Sequence, residues 1–143
     1  MPVRANKMKK LIVEANVNNL EKVMNFVNSS LEEHNCNPDL QSQIDIAVEE
    51  IYINIVNYAY KPGNGDVVVF VSAGEEIVIR FEDTGRPYNP IEKADPDLSK
   101  PLMERKIGGL GIYLTKNLMD KVTYSRIENV NVLTMTKGIK TEL

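Results

Sequence analysis

An α+β fold, with helices on one face of a mixed, mostly antiparallel sheet, follows from three observations on this chain of 143 residues. Residues 20–31 and 44–58 each repeat apolar side chains at three- and four-residue steps, the period of an amphipathic helix. Short β-branched runs at 67–72, 77–82, 122–127 and 130–136 fall into two adjacent pairs. The resulting order is strand, helix, helix, two strands, long loop, helix, two strands. That order reads as a two-layer α/β sandwich in a single domain spanning residues 1–143.

Each element has its local reason. Lys9-Lys10-Leu11-Ile12-Val13-Glu14-Ala15 is a short run suited to an opening strand. Asn18 or Asn19 then offers a side-chain oxygen to cap the first helix, whose stripe is Leu20, Val23, Met24, Val27 and Leu31. Pro38-Asp39 separates it from a second helix, expected to bury Ile44, Val48, Ile51, Ile55 and Tyr58. Lys61-Pro62-Gly63-Asn64-Gly65-Asp66 is a turn, and Ala73-Gly74-Glu75-Glu76 closes a hairpin between the next two strands. A loop at about 86–107 carries Pro87, Pro90, Pro96 and Pro101 and no sustained period; loops of this length in compact domains often act as lids. Gly108-Gly109-Leu110-Gly111 then starts a helix reaching about Met119, followed by the last two strands.

Composition removes several classes of function. Cys36 and His34 are the only residues of their types, so intrachain disulfides, cysteine-rich metal sites and a histidine pair on one metal are excluded. A net charge of −3 gives no reason to expect nucleic acid. No apolar run approaches the roughly 20 residues that span a bilayer, and no signal-peptide core follows Met1-Pro2-Val3-Arg4-Ala5-Asn6-Lys7, so a cytoplasmic protein without membrane contact is expected.

Three segments carry candidate chemistry. Glu50 and Asn54 stand one helical turn apart, so both project from one face of the second helix. An amide oxygen is a hard ligand suited to Mg²⁺, and a carboxylate beside it can accept a proton from an incoming hydroxyl. Alone, that spacing more often decorates a solvent-facing stripe. Asp83 precedes Thr84-Gly85-Arg86-Pro87 at a strand end, where an ionised carboxylate can accept from the exocyclic amine of adenine; alone, the segment reads as an ordinary turn. Gly108, Gly109 and Gly111 open a helix whose free amides and positive end can hold phosphate, although the run alone is equally compatible with tight packing. No Gly-Lys-Ser/Thr follows, so it is not a P-loop.

With these segments in this order, the chain resembles the Bergerat-type ATPases, the superfamily of gyrase, histidine kinase and mismatch-repair ATPase domains. Within it, the short single-domain build is similar to the bacterial anti-sigma-factor serine/threonine kinases, over about residues 11–136. The resemblance implies Glu50 as general base, Asn54 as magnesium ligand, Asp83 as the adenine-binding acid and Gly85 as its close-approach neighbour. It implies Gly109, Leu110 and Gly111 in the phosphate loop, residues 98–108 as the lid, and Arg105 as an arginine reaching the nucleotide. Two departures stand out. Asn57 and Tyr58 occupy positions where many relatives carry a basic residue or histidine. The Gly-Thr that usually precedes the final strand is replaced by Asn129-Val130-Asn131-Val132-Leu133-Thr134, leaving Asn131 or Thr134 to serve instead.

The resemblance further implies ATP/ADP and Mg²⁺ as ligands, an anti-sigma-factor antagonist protein as phosphoryl acceptor, a sigma factor or similar client, and a homodimer formed through the first helix. The alternative is a non-catalytic ATP/ADP-gated binding module, which would not require Glu50. A detached histidine-kinase ATP domain is weaker, because no helical segment bears a phosphorylatable histidine.

Overall fold

The computed structural model describes residues 8–92 and 109–139. Five strands form one sheet: β1 (Lys9–Glu14), β2 (Asp66–Ala73), β3 (Glu76–Asp83), β4 (Lys121–Ile127) and β5 (Val130–Gly138). Their spatial order is β1-β2-β3-β5-β4, and every pairing is antiparallel. The sheet is thus antiparallel throughout the described residues, in line with the mostly antiparallel sheet expected from sequence and with no parallel pair among them. Among the described residues three α-helices, α1 (Leu20–Glu33), α2 (Pro38–Tyr58) and α3 (Gly109–Leu118), accompany the sheet, with α1 and α2 packed on each other and α3 on α2. Among the described residues no helix is long and apolar enough to cross a membrane.

Alternation decides which sheet face is covered. Val67, Val69, Val71 and Ala73 of β2 and Ile77, Ile79 and Phe81 of β3 are buried. They meet Val23, Val27 and Leu31 of α1 and Ile44, Val48 and Ile51 of α2 in one core. Each of the Val, Ile, Leu and Phe side chains among these contributes on the order of 1.5–3 kcal/mol when fully buried. Both hairpins close as their turn residues dictate. Gly74 and Glu75 link β2 to β3, and Glu128 and Asn129 link β4 to β5 with φ of 49° and 67°, the left-handed pair of a two-residue turn.

Three local expectations need correction. Asn19 holds the N-cap position of α1 but makes no side-chain capping bond, and it is Asn16 that caps the preceding 3-10 turn at Val17–Asn19, its side-chain oxygen accepting from the Asn18 amide at 2.8 Å. Asn19 instead donates its amide to the Glu14 carbonyl. Pro38 lies inside α2 as its first residue, where a missing N–H costs nothing, while Asn37 caps by accepting from the Asp39 amide at 2.7 Å. On α2 the large aromatic in the core is Tyr52, 0% exposed, whereas Tyr58 is 43% exposed. Tyr52 is tolerated there because its hydroxyl donates to the Asn16 carbonyl at 2.7 Å, and Tyr58 stacks on Tyr88 with ring centroids 5.0 Å apart.

Candidate functional site

Cross-strand register builds one wall of the site. Val67 of β2 faces Asp83 of β3, Asp83 faces Asn131 of β5, and Asn131 faces Arg126 of β4. Directly opposed residues share a sheet face, so this row lies on the helix-covered side, next to the row of Val69, Phe81, Leu133 and Tyr124. An acid, an amide and a guanidinium thus stand side by side on neighbouring strands, and Asp83 and Asn131 are each only 6% exposed. Thr134 follows the opposite parity to buried Leu133 and Met135 and belongs to the other face. Of the two residues left open from sequence, Asn131 is the one beside Asp83.

Every hydrogen-bonding valence of the Asn131 side chain is used. Its amide nitrogen donates to Asp83 Oδ1 at 2.9 Å and to the Arg86 carbonyl at 2.8 Å. Its oxygen accepts from Arg126 Nη1 at 3.0 Å and from the Tyr124 hydroxyl. Asp83 Oδ1 also accepts from the Gly85 amide at 2.9 Å, and Arg126 Nη1 donates to the Gly85 carbonyl at 2.7 Å. Burial pushes the Asp83 carboxyl above the ordinary range, opposed by the Asn131 bond, the Gly85 amide and the Arg126 charge in that order.

Gly85 has a packing reason of its own. The Arg86 amide bonds the Ala59 carbonyl at 2.9 Å, which draws the turn against the end of α2. An ideal β-carbon on Gly85 would fall 2.3 Å from that carbonyl oxygen. The close approach at this glycine is to the chain's own backbone.

The second wall is α2. Asn54, 7% exposed, donates its amide nitrogen to the Glu50 carbonyl at 2.9 Å and to Glu50 Oε1 at 3.0 Å. The pair is thus coupled rather than arrayed on a solvent stripe, and the commitment of the nitrogen leaves the amide oxygen to meet a ligand. The Glu50 carboxylate reaches the first turn of α3. A β-carbon on Gly111 would come 1.9 Å from Glu50 Cδ and 2.1 and 2.2 Å from its oxygens. Between the walls lies a pocket lined by Asn54, Ala59, Asp83, Tyr88, Tyr124 and Asn131, among others.

Asn54, Asp83 and Asn131 therefore line one pocket between α2 and the β3-β5-β4 end of the sheet, and Glu50, bonded to Asn54, meets Gly111 of α3. Gly109 and Leu110 begin α3. Arg105, Gly108 and lid residues 93–107 lie outside the described residues. Sequence reasoning missed Tyr124 and Arg126. Their signal is the parity of β4, which places both on the pocket side only once the register with β5 is known.

The donor set suits a hard divalent cation shared with phosphates. Among the described residues no group of three or more His, Cys, Asp or Glu side chains forms a cage. The Asn54 oxygen, next to the Glu50 carboxylate, could offer one of the few protein contacts that Mg²⁺ takes when phosphates and water complete its shell.

Comparison with known proteins bears on the family and the fold. The family described as a histidine kinase-like ATPase domain matches residues 13–137. A serine-protein kinase RsbW from Bacillus mycoides is 35% identical over 109 residues, covering 73% of this chain and 68% of that protein. The RsbW of Bacillus cereus strain AH187 is 37% identical over 102 residues, 68% of this chain and 63% of its own length. The serine/threonine-protein kinase BtrW of Bordetella bronchiseptica is 27% identical over 99 residues, 68% of this chain and 70% of its own. The matched stretch thus spans about two thirds of these relatives. Among solved structures, the RsbU and RsbW domains of a Mycobacterium tuberculosis protein share the fold with a TM-score of 0.63 at 16% identity, covering 94% of this chain and 33% of that one. The catalytic domain of histidine kinase ThkA does so at 0.52 and 16%, covering 92% and 99%.

Proposed function

The chain belongs to the histidine kinase-like ATPase domain family, and from that premise we propose that it is an ATP-dependent serine/threonine protein kinase of the anti-sigma regulatory type. In this reading it phosphorylates a small antagonist protein and, as a homodimer, sequesters a sigma factor or similar client when unopposed. The names of the RsbW and BtrW relatives support the kinase activity. The observation that carries the reading within this chain is the oriented carboxylate: Glu50 is held at 3.0 Å by Asn54 beside the start of α3.

The roles follow from placement. Asp83 binds the adenine amine, with the pocket between α2 and the sheet taking the base. The free amides that open α3 face the phosphates and stabilise the charge that develops on them. Asn54 offers its amide oxygen to the cation, and Glu50 accepts the proton of the acceptor hydroxyl. A bound Mg²⁺, held through the Asn54 amide oxygen, would supply neutralisation of phosphate charge. Phosphoryl transfer asks mainly for positioning and electrostatics, which a compact cleft with one carboxylate base can provide.

The test is to incubate the protein with Mg-ATP carrying labelled γ-phosphate and a soluble extract of its source, with Glu50→Gln as control. Label on serine or threonine of one small protein, lost by about 10²–10⁴-fold in rate with the variant, is the expected result. ATP binding without any label would instead favour the ATP/ADP-gated binding module, whereas equal rates for parent and variant would refute Glu50 as the base.

A further inference from the structure

A buried carboxylate that must read a nucleobase faces two problems: it has to stay ionised, and it has to offer one chosen oxygen. Asn131, the Gly85 amide and Arg126 each oppose the upward push of burial on the Asp83 carboxyl, and the first two leave one oxygen for the ligand. Asp83 Oδ1 already accepts twice, from the Gly85 amide and from Asn131, both at 2.9 Å. Two acceptances fill that oxygen's lone pairs and leave Oδ2 as the acceptor for an incoming N–H. Asn131 cannot rotate away, because its own oxygen is held by Arg126 and Tyr124 and its second amide hydrogen by the Arg86 carbonyl.

Charge follows the same path. Arg126 donates to Asn131, and Asn131 donates to Asp83, so cation, amide and anion form a chain in which each bond polarises the next. Arg126 also grips the Gly85 carbonyl at 2.7 Å, fixing the peptide whose N–H bonds Asp83. We propose that Asn131 and Arg126 are positioning residues that present a single oxygen of Asp83 to the base, and thereby set the preference for an amino-bearing over an oxo-bearing purine. The proposal rests on the ATP reading above and deepens it. An oxo group would set acceptor against acceptor at the free Oδ2 of the carboxylate, whereas the amine donates to it.

Inosine triphosphate is the probe, since it carries an oxo group where ATP carries the amine. Calorimetric titration of the full chain with each nucleotide in Mg²⁺ gives an ATP-to-ITP affinity ratio. Asn131→Ala is expected to lower that ratio about tenfold, because a hydrogen bond to a charged group is lost from Asp83. Arg126→Gln should lower it about threefold, and Arg126→Lys, which keeps the charge, should retain more of it. A purely structural role would weaken both nucleotides alike and leave the ratio unmoved. Should Asn131→Ala fail to fold, the Arg126 pair decides by the same ratio. A parent that binds neither nucleotide overturns the ATP reading and this proposal together; a selective parent with equally selective variants overturns the proposal alone.

Discussion

The Glu50 carboxylate occupies the space that a β-carbon on residue 111 would need: the ideal position lies 1.9 Å from Glu50 Cδ. Glycine at the third residue of α3 is therefore what leaves room for the carboxylate of the candidate base on α2. The obstructing atoms are the far end of a flexible side chain, which can swing aside at little cost. Alanine also gains about 1 kcal/mol over glycine inside a helix. Gly111→Ala should accordingly leave stability within about 1 kcal/mol of the parent, while driving the carboxylate off its Asn54 contact. A misplacement of this size can cost on the order of 10²-fold in rate. Thermal melting together with phosphoryl transfer checks the split; full activity with an unchanged melting point would remove Glu50 from its role.

Asp83 gives a pH dependence of definite sign. Its carboxyl is raised by burial above the usual value of 3.8. In the interval between the unfolded and folded values the folded chain binds more protons than the unfolded, so stability falls as pH rises through it. Below the ordinary value both states are protonated and the group contributes nothing. Asp83→Asn can keep the acceptances from Asn131 and Gly85 through its amide oxygen while removing the buried charge. The ligand-free variant should be the more stable protein at neutral pH, with the advantage vanishing on acidification below the ordinary carboxylate value. Urea midpoints measured from acid to neutral pH decide this; a variant no more stable than the parent at neutral pH contradicts it.

Tyr52 fastens the site-bearing helix to the sheet edge. Its buried hydroxyl donates to the Asn16 carbonyl at 2.7 Å, has the Glu14 carbonyl at 3.2 Å, and accepts from the Asn16 amide at 3.3 Å. Tyr52→Phe keeps the ring and strands these backbone groups, so a loss of about 1–2 kcal/mol is expected in equilibrium unfolding. The slope with denaturant should stay the same, because the surface exposed on unfolding does not change.

That same tyrosine marks a boundary of what can be read from the chain. Ile44, Val48 and Ile51 were legible as core because period and residue type agree. Continuing the stripe to Tyr58 failed because the last turn of α2 leaves the core and Tyr58 finds Tyr88 instead. The polar members of the cleft show the same division. Glu50, Asn54, Asp83 and the glycines stand out locally, being polar or side-chain-free where apolar residues would be routine. Asn131 could only be paired with Thr134 as an alternative, since β5 carries apolar residues at both parities and its buried face depends on register with β3. Arg126 carries no local mark at all. Its part arises from a contact 41 residues away in sequence, at the Gly85 carbonyl.

Gly85 is the counterpart to Gly111 and calls for the opposite outcome. A β-carbon there would lie 2.3 Å from the Ala59 carbonyl oxygen, 2.6 Å from its carbon and 2.8 Å from its β-carbon. Two of those atoms are backbone at the end of a helix, so no side-chain rotation relieves the clash. Either the turn or the α2 terminus has to shift, and the Arg86 amide bond to Ala59 stretches with it. Overpacking of this kind costs about 1–3 kcal/mol. The shift also moves the peptide that Arg126 and Asp83 hold between them, so nucleotide binding should weaken as well. Gly85→Ala is therefore expected to lose both stability and ATP affinity, where Gly111→Ala loses rate at nearly constant stability. Unfolding midpoints and calorimetric titrations of the two variants side by side test the distinction. If Gly85→Ala proved as stable as the parent, the backbone contact would not be what demands glycine at that position.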